Sequence, residues 1–280
     1  MLKGYRIAAL CLGLLALSLH SCTKQRILVK GEKLLEDIPD YFVQKALIEV
    51  FTGEWCGWCP EGAEMKEYIL NDKPERVIAV SVHHADDFEI PEYNEWLKDE
   101  VQVSGFPNAS IQRNLAASRG TWRQEIDLAL AGSPACGLAI ASDLDKNDLD
   151  LDIYVGLNGA MPNDTRLSVF IIENEVSQST GGQSNYSQSV TVDKHWKHNQ
   201  VLRAVLTPNE GQPIDLTDMT TRSASMHFEN LNLKDYNIGN YSNCEVVAFV
   251  HKNQTSDTFH FARNVYNVQS AKLHAVSGWN

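Results

Sequence analysis

The stretch that most constrains this chain is Phe51-Thr52-Gly53-Glu54-Trp55-Cys56-Gly57-Trp58-Cys59-Pro60, set between two apolar patterns. Before it, Ala46-Leu47-Ile48-Glu49-Val50 reads as a buried strand. After it, Ala63, Met65, Ile69 and Leu70 fall on one face of a helix. The cysteines therefore sit where a strand turns into a helix. There, unpaired backbone N–H groups and the positive end of the helix dipole stabilise a thiolate. Such placement lowers a cysteine pKa from about 8.5 into a range of roughly 3.5–7.5. Cys56 is expected as the exposed nucleophile and Cys59, one turn on, as the resolving thiol. Pro60 suits the first helical turn, where its missing N–H costs nothing.

Glu54-Trp55-Cys56-Gly57-Trp58-Cys59 resembles the active-site sequence of the thioredoxin family, with Trp58 where thioredoxin carries proline. The resemblance implies a cis proline facing the sulfurs, where it shields them and aligns an extended substrate backbone. The matching residue is Pro107 in Ser104-Gly105-Phe106-Pro107-Asn108. One departure bears on mechanism. Thioredoxin buries an aspartate six residues before the nucleophile, and Val50 stands there in this chain. The wider pattern adds Cys59-Pro60, Gly105-Phe106-Pro107 and Gln112-Arg113-Asn114, and resembles the outer membrane protein 28-related lipoproteins of Bacteroidetes. That resemblance implies a thioredoxin-like domain followed by a β-rich one.

Residues 1–21 read as a lipoprotein signal peptide. Lys3 and Arg6 precede the apolar run Ile7 to Leu19, which is too short to span a bilayer of roughly 30 Å. Leu19-His20-Ser21-Cys22 resembles a bacterial lipobox, with lipid on the Cys22 sulfur anchoring the chain to a membrane leaflet. Thr23-Lys24-Gln25 lacks the acidic run that resembles surface-export signals, which favours an outer membrane position facing the periplasm. A net charge of -12 argues against nucleic acid or anionic headgroups as partners.

Residues 22–44 form a tether, and 45–133 alternate strand and helix, which implies an α/β sheet with parallel neighbours. Residues 134–280 carry short strands such as Leu149 to Val155 between turn-rich loops, the texture of a β-sandwich of immunoglobulin-like type. Its loops could bind a partner or simply connect strands. Cys136 and Cys244 remain after Cys56 and Cys59 are paired. They either form a second, structural disulfide or pack as free buried thiols.

His83 and His84 follow a strand's carboxyl end, the edge that also carries Cys56. Either could accept the proton of Cys59 or stabilise the Cys56 thiolate, and an exposed polar loop is the plainer reading. Glu54 could transfer protons or face water. His83, His84 and a cysteine would also suit zinc or copper, but no ligand quartet accompanies them. His195-Trp196-Lys197-His198 reads as a surface turn, and Asp143 to Asp148 as a strand-connecting turn rather than a calcium loop. Trp55, Trp58 and Phe106 would offer a flat apolar surface to a partner polypeptide, although core packing accounts equally for Trp55.

The chemistry that follows is thiol–disulfide exchange on the thiols or disulfides of exported proteins, with no metal or organic cofactor required. The alternative is a non-enzymatic, adhesin-like envelope protein that binds through its β-sandwich and keeps Cys56–Cys59 as a structural bond.

Overall fold

The computed structural model describes residues 32–177, 181–187, 192–217, 219–253 and 265–280. The expected signal peptide and Cys22 lie outside them. Among the described residues no helix is long and apolar enough to cross a membrane.

The first half is built on β1 (Ala46–Thr52), followed by α1 (Cys59–Asp72), β2 (Val77–His83), α2 (Pro91–Val101), β3 (Asn108–Ile111), β4 (Ala117–Ser118) and α3 (Trp122–Leu130). β1 and β2 are parallel, with Thr52 opposite His83. β3 departs from the expected parallel order and runs antiparallel to β1, with Asn108 opposite Phe51. The reason is local: the stretch from Gln102 to Pro107 returns the chain to the edge at which β1 ends. Pro107 thus arrives beside the strand that leads to Cys56.

The second half is mostly β. It comprises β5 (Cys136–Asp145), β6 (Asp148–Leu157), β7 (Thr165–Glu173), β8 (Val176–Ser177), β9 (Gln183–Ser184), β10 (Val192–Asp193), β11 (Lys197–His198), β12 (Val201–Val205), β13 (Gln212–Pro213), β14 (Ser223–Asn232), β15 (Cys244–Lys252), β16 (Val265–Lys272) and β17 (Val276–Ser277). Four of these strands make a separate sheet in the order β14-β6-β5-β17. The others do not stay on their own side of residue 133. β12 lies parallel to β2, with Val201 opposite Ser81, and joins the halves into one sheet of order β16-β15-β7-β12-β2-β1-β3-β4.

Alternation along the strands explains the layers. Phe170, Ile172, Val247 and Phe249 share a core with Leu47 and Phe51 of β1 and with Tyr93, Leu97 and Val101 of α2. Their neighbours Val169, Ile171, Val246 and Ala248 point the other way and pack on Leu138, Ile140, Leu151 and Ile153 of the separate sheet. That is the sandwich expected of the second half. Ile48 and Val50 face Ile69 of α1 and Trp122 and Ile126 of α3. Each large side chain buried in these layers contributes about 1.5–3 kcal/mol. Cys136 and Cys244 lie in the sandwich core as free, buried thiols, so the second disulfide does not form.

Candidate active site around Cys56 and Cys59

The turn between β1 and α1 is tight for a stated reason. A Cβ on Gly53 would stand 2.6 Å from Nε1 of Trp55 and 2.9 Å from the His84 carbonyl oxygen, so only glycine lets the chain pass there. The Glu54 N–H donates to Asp86 Oδ2 at 2.9 Å, and the Cys56 N–H to the Gly53 carbonyl at 3.0 Å. Helix α1 then starts at Cys59 with Pro60 in its first turn. Cys56 and Cys59 are joined in a disulfide.

The Phe106–Pro107 bond is cis. Pro107 packs on the first turn of α1, where a Cβ on Gly62 would come within 2.7 Å of the proline Cβ. Pro107 therefore stands beside the helix that begins at Cys59.

The expected exposure of Cys56 does not. Cys56 is 4% exposed and Cys59 2%. Part of the cover comes from a strap, Gln183 to Tyr186, more than a hundred residues away in sequence. Gln183 Nε2 donates to the carbonyls of Gly53, Glu54 and Cys56 at 3.3, 3.2 and 3.0 Å. The Ser184 N–H reaches the Glu54 carbonyl at 2.7 Å, and the Tyr186 N–H the Gly57 carbonyl at 2.9 Å. Nothing local in the sequence marks this segment as a partner of the cysteine turn.

The aromatic residues stand around the rim. Trp55 is 48% exposed and Trp58 50%, so Trp55 is not a core residue. Trp55 Nε1 donates to the His84 carbonyl at 2.7 Å, and its ring meets Phe106 edge-on at 5.3 Å. Phe106 stacks on His84 at 5.3 Å, while Trp58 meets Tyr186 edge-on at 5.7 Å.

The two histidines part company. His84 belongs to that rim and pairs through Nδ1 with Glu89 at 2.8 Å. His83 is buried, not in an exposed loop, and its Nδ1 lies 2.6 Å from Asp86 Oδ2. A cavity of about 570 Å³ opens beneath the disulfide, lined by Cys59, Val50, Lys66, His83, Gln183 and His198 among others. Val50, which stands where the sequence resemblance implies an aspartate, is part of that wall. His198, expected in a surface turn, is buried and packs its ring against His83 at 4.8 Å.

Charges around the cavity are unusual. Glu54, for which solvation was the plain expectation, is 8% exposed. Burial, followed by the nearby Asp86 and Asp87, raises its pKa to about 7. Burial, with His83 adding to it, lowers that of His198 to about 3. Lys66 is buried on α1, donating to Ser81 Oγ at 3.0 Å and the Asn199 carbonyl at 2.9 Å, and burial lowers its pKa to about 8. Of these residues sequence reading found Glu54 and His83. His198 was read as part of a surface turn, and Lys66 gave no local signal.

Two other expected features fall elsewhere. Asp145 and Asp148 close the β5–β6 hairpin and Asp143 pairs with His274 Nδ1 at 2.7 Å. Among the described residues no group of three or more His, Cys, Asp or Glu side chains is arranged to hold a metal ion.

The fold is similar to that of HBP35 of Porphyromonas gingivalis, with a TM-score of 0.69 and 18% identity over 83% of this chain and 76% of that one. A protein of Agrobacterium tumefaciens matches at a TM-score of 0.48 and 14% identity, over 83% of this chain and 96% of that one. No curated protein matches the chain. The family model for outer membrane protein Omp28 matches residues 94–276. With well over half of its length matched, the chain belongs to the outer membrane protein Omp28 family.

Proposed function

We propose that this protein is a thiol–disulfide exchange protein of the cell envelope, with a thioredoxin-like first half. Its targets are thiols or disulfides of exported proteins, and lipid on Cys22 holds it at the outer membrane, facing the periplasm. The observation that carries this reading is the Cys56–Cys59 disulfide at the mouth of α1, with cis-Pro107 packed on the same helical turn. The half-exposed Trp55 and Trp58, with Phe106 beside them, give a partner polypeptide an apolar rim to rest on.

The exchange balances without a cofactor. A thiolate of a target dithiol attacks Cys56 Sγ, a mixed disulfide forms and the S–S bond to Cys59 breaks. Cys59 leaves with the electron pair and takes up a proton. The second target thiol loses its proton and attacks its own mixed-disulfide sulfur, releasing Cys56. Two electrons and two protons pass from target to protein, which oxidises the target, and the reverse sequence reduces a target disulfide.

A second reading has its own support: the burial of both cysteines and the strap across their turn suit a structural bond. The Omp28 match also begins at residue 94, after the cysteines. The reduction potential separates the two. It is measured in glutathione and dithiothreitol buffers from Trp55 and Trp58 fluorescence, with Cys136 and Cys244 replaced by alanine. A value between about -270 and -120 mV fits exchange chemistry, and one below about -300 mV fits a structural bond. In the first case Cys59→Ser accumulates mixed disulfides with exported proteins, and in the second it does not.

A further inference from the structure

Three polar atoms are buried without a hydrogen-bond partner among the described residues: His83 Nε2 and His198 Nε2, whose residues line the cavity beneath Cys59, and Glu54 Oε1 beside His198. Leaving one such atom unpaired in the interior is costly, so three in one place ask for an explanation. The three residues also lie side by side. His198 Nε2 lies 3.8 Å from Glu54 Oε1, and the rings of His83 and His198 meet edge-on. We propose that Glu54, His83 and His198 form a proton relay for Cys59, with His198 as the positioning residue that couples Glu54 to His83. This rests on the exchange reading above and gives the chain a substitute for the aspartate that Val50 replaces.

Geometry supplies the direction of the relay. Asp86 Oδ2 takes both the Glu54 N–H and His83 Nδ1, which fixes the loop and leaves Nε2 as the free ring nitrogen of His83. That nitrogen is the one able to pass a proton, and His83 and His198 share the cavity wall with Cys59. A polar cavity of this size admits water, and one water spans a gap too long for a direct hydrogen bond. When the Cys56–Cys59 bond opens, the Cys59 sulfur leaves with the electron pair and takes a proton passed along this wall from Glu54. When the bond closes, the Cys59 proton returns by the same route. The electrons come from, or return to, the target dithiol.

The surrounding charges suit the task. Glu54 faces Asp86, Asp87 and His198, and its raised pKa of about 7 keeps it able to give or accept a proton near neutrality. His198 faces His83, Asp86, Lys66 and Glu54, and stays uncharged. A metal at these atoms is the rival explanation, and their arrangement does not provide one.

The test is the rate of Cys56–Cys59 reduction by dithiothreitol from pH 5 to 9, followed by tryptophan fluorescence in wild type, Glu54→Gln and His198→Asn. The ratio of wild type to variant cancels the titration of the reagent. General acid–base catalysis contributes roughly 10²–10⁴-fold, so Glu54→Gln is expected to slow reduction at least about tenfold below pH 7. Its ratio to wild type should bend near pH 7, and His198→Asn should move the same bend. Carboxyl NMR of Glu54 in the wild-type protein provides a second readout that no folding defect can mimic. The relay requires its titration to differ between the oxidised and reduced forms. Rapid reduction with flat ratios, or one titration curve shared by both redox forms, overturns the relay alone. A bond that resists dithiothreitol throughout overturns the exchange reading and the relay with it.

Discussion

The backbone N–H of Tyr186 donates to the carbonyl of Gly57, between the two cysteines, at 2.9 Å. The tyrosine ring lies so close over that glycine that an added Cβ would come within 2.5 Å of it. Gln183 completes the clamp through the carbonyl of Cys56, 127 residues earlier in the chain. The cysteine turn is therefore held partly by the β-rich half of the protein. Gln183→Ala removes a side-chain donor from the carbonyls of Gly53, Glu54 and Cys56, which keep the N–H groups of Cys56, Ser184 and Cys59 as partners, so it should cost about 0.5–1.5 kcal/mol. The same loss loosens the turn. Both Gln183→Ala and Tyr186→Ala should speed reduction by dithiothreitol several-fold, read from tryptophan fluorescence. Unchanged rates would show that the strap does not govern access.

Lys66 makes a pH prediction with a definite sign. Its pKa in the fold, lowered to about 8 chiefly by burial, lies below the value of an unfolded chain, about 10.4. Between those values the unfolded chain binds more protons, so stability rises with pH. The penalty for holding Lys66 charged is present below pH 8 and fades towards pH 10.4, and amounts to about 3 kcal/mol. Urea unfolding at pH 7 and pH 10 should show Lys66→Met losing most of this rise relative to wild type. An equal rise in both proteins would contradict it.

Local signals made β1, the cysteine turn and α1 legible, because a strand, a turn and a helix start are each written in neighbouring residues. Pro107 was legible through resemblance. What stayed hidden was brought in over long distance. His198 and Gln183 reach the cysteines only because β12 pairs with β2, and that pairing rests on one register contact, Val201 opposite Ser81. The change of texture near residue 133 marked a difference in local structure, but hydrogen bonds of the large sheet cross it. Glu54 read as solvated because its cover, Asp86 and His198, comes from other segments.

Glu49 shows why an acid next to the expected position is no substitute for one there. It precedes Val50, so it points to the opposite face of β1. There it meets Arg113 Nε at 3.2 Å and accepts from the Tyr93 hydroxyl at 2.7 Å, all three side chains buried. The Arg113 guanidinium also lies 4.5 Å from the centre of the Phe249 ring. The network therefore ties β1, α2 and β15 together rather than serving the sulfurs. Arg113→Ala leaves Glu49 buried without its counter-charge and should cost about 3–5 kcal/mol in urea unfolding. Glu49→Gln combined with Arg113→Met should cost less than the sum of the single changes, since the two residues are in contact. Additive costs would mean that the pair is not coupled.

Cys136 and Cys244 yield the last prediction, which turns on reactivity rather than stability. Burial pushes both thiols up to about 12, with Glu173 adding to the effect at Cys244. The thiolate is the reactive form. Relative to an ordinary thiol of pKa about 8.5, the thiolate fraction at pH 8 falls by roughly a thousandfold. Iodoacetamide should therefore leave both residues unmodified in the native protein and label both in urea without prior reduction. Cys56 and Cys59, held in their disulfide, should be labelled only after a reductant is added. Mass spectrometry of the labelled peptides distinguishes these populations. Labelling of Cys136 and Cys244 that required reductant even in urea would mean that they are bonded after all, and native labelling of either would mean that the sandwich core opens.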